Sequence, residues 1–205
     1  MATWIKVLIG VGIAAVIIGL LIGWHYLGAH FRRKKGTLAH DRVSAQLKKF
    51  AGVRSFKVLE DLTLTTGKKE EVKIDRALIT FNHVILFQVR EEHDTIYGDF
   101  KGPTWISVKT DKENNTIGKV SFDNPVLTAQ KGNDAVRRIL ARNKLGKIQT
   151  EFYVVFGDPK VTLSIGKGMP VLNFKQFKTL LGRSKYSEDG PVDVAEVAKL
   201  LESGK

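Results

Sequence analysis

Hydrophobic and polar positions follow three different patterns along this chain. The first has no period: residues 7–24 carry no charge at all, running V-L-I-G-V-G-I-A-A-V-I-I-G-L-L-I-G-W. That is about the length a helix needs to cross ~30 Å of hydrocarbon. The second is the helical period. Ala39, Val43, Leu47 and Phe50 form one apolar stripe and predict a helix over 37–50, ended by Gly52. A longer helix is expected from Asn124-Pro125 to about Asn143, with Val126, Ala129, Val136, Ile139 and Leu140 inward and Gly132 weakening its middle. Helices over 174–181 and 193–202 follow, the last with Val194, Val197, Ala198 and Leu201 on one face.

The third pattern is the strand period of two. Strands are predicted at 58–64, around Trp105–Val108, at Val120–Phe122, over Glu151–Phe156 and over Val161–Ile165, with residues 184–191 as a linker. Between them lies the most informative stretch, 73–90, K-I-D-R-A-L-I-T-F-N-H-V-I-L-F-Q-V-R. It reads as two strands joined by a tight turn at Phe81-Asn82-His83. Strict alternation puts Lys73, Asp75, Ala77 and Ile79 on one face, and Val84, Leu86, Gln88 and Arg90 on one face of the second strand. Paired as a hairpin, Asp75 and the Gln88-Val89-Arg90 run meet at one end of the sheet. A carboxylate, an amide oxygen and a cation in that arrangement can hold a divalent metal beside a phosphate. The plainer reading is an edge-strand charge opposite the point where a buried strand surfaces. The succession of helices and strands predicts an α+β or mixed α/β sandwich.

Charge sharpens the picture at the amino terminus. Arg32-Arg33-Lys34-Lys35 directly follow the apolar run, whereas Lys6 alone precedes it, so the positive-inside rule places the remainder in the cytoplasm. Trp4 at one end and Trp24 and Tyr26 at the other suit interfacial anchors. A cleaved signal peptide would have a shorter apolar region, with its positive charge before that region. The expected organisation is a membrane anchor over 1–31, a basic collar over 32–36, a folded domain over 37–182, and a linker with an amphipathic helix over 183–205. Ala15, Gly19 and Gly23 form a small-residue ladder that could pack two such helices into a homodimer, although both residue types are frequent in membrane helices anyway.

The net charge is +12, from 33 Lys+Arg against 21 Asp+Glu. Of this, about +7 remains once Lys6 and the four-residue collar are set aside. A surface that basic favours anionic partners, nucleic acid or lipid headgroups. Arg137, Arg138 and Arg142 on the long helix are candidate phosphate contacts; a solvated face complementing the helix carboxyl end is the alternative. The chain has no Cys, which excludes disulfides and thiolate zinc sites. His25, His30, His40, His83 and His93 form no metal-binding spacing, no Ser stands in a G-x-S-x-G context, and no G-x-x-x-x-G-K-[ST] loop occurs.

The stretches V-K-I-D-R-A-L-I, I-L-F-Q-V-R, I-Y-G-D-F, the isolated Trp105, F-D-N-P before a helix and F-Y-V-V-F-G occur in an order that resembles the NERD, or nuclease-related domain, family. That family often stands behind an amino-terminal membrane helix and looks like a branch of the PD-(D/E)xK nucleases. The resemblance implies a restriction-endonuclease-like α/β fold, a mixed sheet flanked by helices, after one transmembrane helix. It implies Mg²⁺, with Mn²⁺ as a substitute, bound by Asp75, by Gln88 and by the Val89 carbonyl. Gln88 and Arg90 occupy the places of the motif's Glu and Lys. Four departures follow. The Glu usual on the first helix is His40, with Asp41 next door but turned ~100° away; Gln88 replaces Glu, as in the similar Mrr-type Gln-x-Lys arrangement; and Arg90 replaces Lys. A Gln expected after the Asn-Pro is displaced, with Thr128 near its place and Gln130 two later. Arg stays protonated where Lys could lose its proton, and Lys73 could stand in. The implied activity is phosphodiester hydrolysis on nucleic acid, with a catalytically degenerate binding module as the alternative.

Overall fold

The computed structural model describes residues 38–66, 70–113 and 115–204. The expected anchor, its collar and the Ala15, Gly19, Gly23 ladder lie outside the described residues. Among the described residues no helix is long and apolar enough to cross a membrane.

The main sheet has five strands in the order β1 (Lys57–Thr65), β2 (Glu71–Ile79), β3 (His83–Arg90), β7 (Gln149–Phe156), β9 (Val171–Asn173). The first three form an antiparallel meander, and β7 runs parallel to β3. A parallel neighbour needs a crossover, and α2 (Pro125–Arg142) supplies it. On one face of this sheet Ala39, Val43 and Leu47 of α1 (Ala39–Gly52) pack on Leu78, Ile85 and Phe87, together with Phe177 and Leu180 of α3 (Phe174–Leu181). On the other, Ala135, Val136 and Ile139 of α2 meet Ile74, Ala77 and Leu86, together with Val197 and Leu201 of α4 (Val194–Glu202). Each such side chain contributes ~1.5–3 kcal/mol by leaving water. The result is a mixed α/β fold with helices on both faces of the sheet.

A second sheet of four strands is inserted between β3 and α2, with one strand supplied after β7. Its order is β6 (Thr116–Asp123), β5 (Thr104–Thr110), β4 (Thr95–Gly98), β8 (Thr162–Ile165). Trp105 is fully buried where this sheet meets α2 and β7, stacked on Phe156 at 6.5 Å, and its Nε1 donates to the Asp99 carbonyl at 2.9 Å. A Cβ at position 98 would lie 2.3 Å from the indole, so only Gly98 fits beneath it. Asn124 explains the Asn-Pro that opens α2: its side chain accepts the Val126 N–H at 2.9 Å while its Nδ2 donates to the Gly102 carbonyl at 2.7 Å. Gly132 does not break α2. A Cβ there would sit 2.2 Å from Ile74 Cδ1, so the glycine lets the helix lie directly on β2.

Three expectations are corrected. The alternation on β2 is not strict: Ala77 and Ile79 share their core with Val72 and Ile74, so the period slips at Asp75-Arg76. The slip faces Asp61 on β1, a non-glycine residue at φ +53°, between the pairs Glu60↔Arg76 and Leu62↔Ile74. A kink of this kind turns Asp75 out of line with Ala77 and Ile79. His83 is not a turn residue but the buried first residue of β3. Residues 184–191 are no free linker, since Tyr186, in the short 3₁₀ turn Ser184–Tyr186, is fully buried in the α1 face of the core.

Candidate active site

β2 and β3 pair from Ile79↔Val84 to Arg76↔Phe87 and then part. One step further, the Asp75 carboxylate fills the opening. Its Oδ2 accepts the Val89 N–H at 2.6 Å and Gln88 Nε2 at 2.7 Å. A side chain has taken over the acceptor role that a β2 carbonyl plays elsewhere in the ladder. The N–H and C=O of one strand residue point the same way, so the Val89 carbonyl faces this opening too. Gln88 Oε1 is buried and has no hydrogen-bond partner. The hairpin therefore brings Asp75, Gln88 and Val89 together.

Burial pushes the Asp75 carboxyl above the ordinary aspartate range. The Val89 N–H and the charges of His40 and Arg76 pull the other way without prevailing, and Asp61 adds to the rise. His40, in the first turn of α1, is thus within electrostatic reach of Asp75. Beside it in sequence, Asp41 Oδ2 is buried without a hydrogen-bond partner. Among the described residues no three His, Cys, Asp or Glu side chains gather as a metal cluster. The donors at the opening, one carboxylate, an unpartnered amide oxygen and a backbone carbonyl, suit a hard cation that keeps much of its own water.

Arg76 went unpredicted as a site residue. Its guanidinium is buried: Nε donates to Ser44 Oγ of α1 at 2.6 Å, and Nη1 donates to Asp61 Oδ1 at 3.3 Å and to the Asp75 carbonyl. Glu60 lies 3.5 Å from Nε and pairs with Lys48 at 3.2 Å. Arg76 therefore ties α1, the β1 kink and the Asp75 backbone into one unit. The available signal was a cation between Ile74 and Leu78 on a core-facing position, which requires buried partners.

Arg90 turns elsewhere. Both its Nε, at 2.9 Å, and its Nη2 donate to the Glu92 carboxylate, and its guanidinium lies 5.0 Å from the centre of the Phe122 ring. Lys73 is exposed and forms no ion pair among the described residues. Arg137, Arg138 and Arg142 are exposed on α2. Arg138 and Arg142 line a cleft with Thr65 and Thr66, and Arg137 and Arg138 a shallower one with Asp134; Asp75 borders neither.

The family model of the nuclease-related domain, NERD, matches residues 35–157, more than half of the chain and all of the Asp75 opening. The chain belongs to the NERD family. Its nuclease-related character is thereby established at the level of the family. The match ends as β7 ends, so α3, α4 and the buried Tyr186 lie beyond the NERD span. No curated protein and no solved structure matches the chain.

Proposed function

We propose that this NERD protein is a Mg²⁺-dependent nuclease of the PD-(D/E)xK kind, held at the membrane by residues 7–24 with its folded domain in the cytoplasm. The observation that carries the reading is the Asp75 carboxylate, set where β2 and β3 part and bonded to Val89 and Gln88. Asp75, Gln88 Oε1 and the Val89 carbonyl would hold the ion, with His40 and Asp41 as further donors from α1. Bound there, Mg²⁺ or Mn²⁺ would acidify water and neutralise phosphate charge. The protein's own part is positional. Arg76 fixes the kink that aims Asp75, and the Val89 N–H orients its carboxylate. Arg90, permanently protonated, can stabilise charge that develops on the phosphate but cannot act as a neutral base; Lys73 is the nearest amine on β2.

The second reading is a nucleic-acid-binding module that has lost its chemistry. It is favoured by one observation, the engagement of Arg90 by Glu92 and Phe122 rather than by the Asp75 opening. The apolar run and basic collar support the lipid bilayer as partner in both readings. The Ala15, Gly19, Gly23 ladder supports a homodimer.

The deciding experiment incubates the full-length protein in non-ionic detergent with labelled DNA and RNA, with and without Mg²⁺ or Mn²⁺. Cleavage that requires metal and disappears in Asp75→Ala is the expected result. Activity only in Arg90→Lys would mean a scaffold that has lost its lysine. Silence from wild type and both variants, with intact folding, would replace the nuclease by the binding module.

A further inference from the structure

The Asp75 opening leaves a second concentration of positive charge unexplained. From Lys131 to Lys147 there are six basic residues, Lys131, Arg137, Arg138, Arg142, Lys144 and Lys147, against one acid, Asp134. All six are exposed, and none forms an ion pair or hydrogen bond through its side chain among the described residues. Arg138 and Arg142 stand one helical turn apart, where like charges destabilise a helix by ~0.2–0.5 kcal/mol. The helix dipole compensates Arg142 in the last turn but does little for Arg138, a turn further in.

These two arginines are not on an open surface. The kinked β1–β2 ribbon brings Thr65 and Thr66 alongside them, enclosing a cleft of about 260 Å³. Two arginines and two threonines line this volume beside Ala135, Ile139 and Gly204. Guanidinium groups match phosphate oxygens in pairs, and a threonine hydroxyl can donate to a further oxygen even where, as at Thr66, it already accepts the Glu70 N–H. The volume is below the ~300–1,000 Å³ of small-molecule sites, so a backbone phosphate fits better than a whole cofactor. Lipid headgroups share this chemistry, but basic membrane faces pair their charge with apolar side chains that insert. Among the described residues the large hydrophobic side chains that are exposed, Val53, Tyr97, Phe100, Ile117 and Val120, all lie off α2 and off the cleft.

We propose that this cleft is a second phosphate site, which grips the backbone of a polynucleotide whose scissile phosphodiester lies at Asp75. The proposal rests on the nucleic-acid reading above. Thr65 pairs with Glu71, and four residue steps along β2, about 13 Å of strand, lead from Glu71 to Asp75. The two sites thus share the β1–β2 ribbon, and a polynucleotide that follows its edge would be placed by the cleft relative to Asp75.

The test is binding, read in EDTA so that no cleavage is needed. A fluorescein-labelled single strand of about 20 nucleotides is titrated with the full-length protein in detergent over a salt series, as DNA and as RNA. Arg138→Gln/Arg142→Gln is expected to weaken binding at least tenfold at low salt. The slope of log affinity against log salt should fall by about 1.4, at about 0.7 per lost single-strand contact. The Arg138→Lys/Arg142→Lys pair, which keeps the charge, should retain the slope and lose part of the affinity. Unchanged affinity and slope in a Gln pair with wild-type thermal unfolding would overturn the cleft while leaving Asp75 untouched. Binding of a short-chain, water-soluble phosphatidylserine that is lost in the Gln pair, with oligonucleotide binding intact, would overturn it in favour of lipid. Wild type that binds no oligonucleotide would remove the nucleic-acid reading and the cleft together. Binding through the cleft without metal-dependent cleavage would remove the nuclease and the scissile phosphodiester at Asp75, and keep the cleft as a backbone-binding site.

Discussion

Asp75 and Glu151 are both carboxylates of the five-stranded sheet, and both lie largely out of water, yet the fold treats them in opposite ways. Burial works to raise Glu151, but Lys185 Nζ at 2.6 Å, Tyr186 Oη at 2.6 Å and Tyr153 Oη at 2.8 Å all donate to it and hold it below the ordinary glutamate value of 4.5. Asp75 receives one backbone N–H and one amide, burial prevails, and the oxygen of that same amide is left without a partner. Two of Glu151's donors come from residues 185 and 186, so the cluster fastens the segment after α3 to β7. Nothing distant is fastened by Asp75's side chain. A buried carboxylate saturated with donors holds structure together; one left short of donors beside orphaned oxygens marks a place where stability yields to chemistry.

The largest effect that separates the two is on stability. Glu151→Ala leaves the buried Tyr186 and the half-buried Tyr153 without their acceptor, with the partly exposed Lys185 adding little, and should cost ~1.5–3 kcal/mol. For a domain of this size that lowers Tm by about 3–12 °C. Asp75→Ala should move stability by no more than ~1 kcal/mol while abolishing cleavage. Near-UV circular dichroism on heating, run beside the cleavage assay, reads both. Equal losses of stability in the two variants would end the distinction.

The pH dependence follows with opposite signs. Glu151 has its folded pKa lowered, so its contribution is present above 4.5 and is lost as pH falls through the folded value. Asp75 has its folded pKa raised above 3.8, so its contribution is fully present below 3.8 and is lost as pH rises through the folded value. Urea unfolding between pH 3 and 7 should show the deficit of Glu151→Gln shrinking on acidification. Over the same range Asp75→Asn should gain on wild type as pH rises. A parallel trend in both variants would show that the environments do not differ as described.

The hairpin that meets at Asp75 and Gln88 was legible because period-two alternation holds along β3 and because Asn-Pro announces α2. The aim of Asp75 was not, since it depends on the kink at Asp61, and an aspartate at positive φ inside a strand has no reliable mark in sequence. Tyr186 lies in a stretch whose composition reads as a linker, and its partner Glu151 is 35 residues away. The second sheet was illegible as a sheet because β4 pairs with β8 across more than sixty residues, a non-local pairing that local patterns do not encode. Arg76 was visible as a core-facing cation, but which groups would neutralise it depended on how α1 packs.

Arg90 offers the finest distinction, because it sits at the Asp75 end of the sheet yet is paired in the manner of the Glu151 end. Glu92 takes both its Nε and its Nη2, and Phe122 covers its plane. The pair is partly exposed, with side-chain exposures of 28% and 21%, so removing it should change stability by only ~0–1 kcal/mol. Glu92→Gln keeps the size of the side chain and releases the guanidinium from its counter-charge. If Arg90 serves the phosphate, this variant should raise kcat about two- to fivefold with KM little changed, since the released cation acts on charge that develops in the transition state. Arg90→Gln should then lower kcat in the wild-type background, and the double variant should match Arg90→Gln alone. If Arg90 belongs instead to the structural class that Glu151 represents, kcat will not respond to Glu92→Gln, and the only effect will be the small loss of stability.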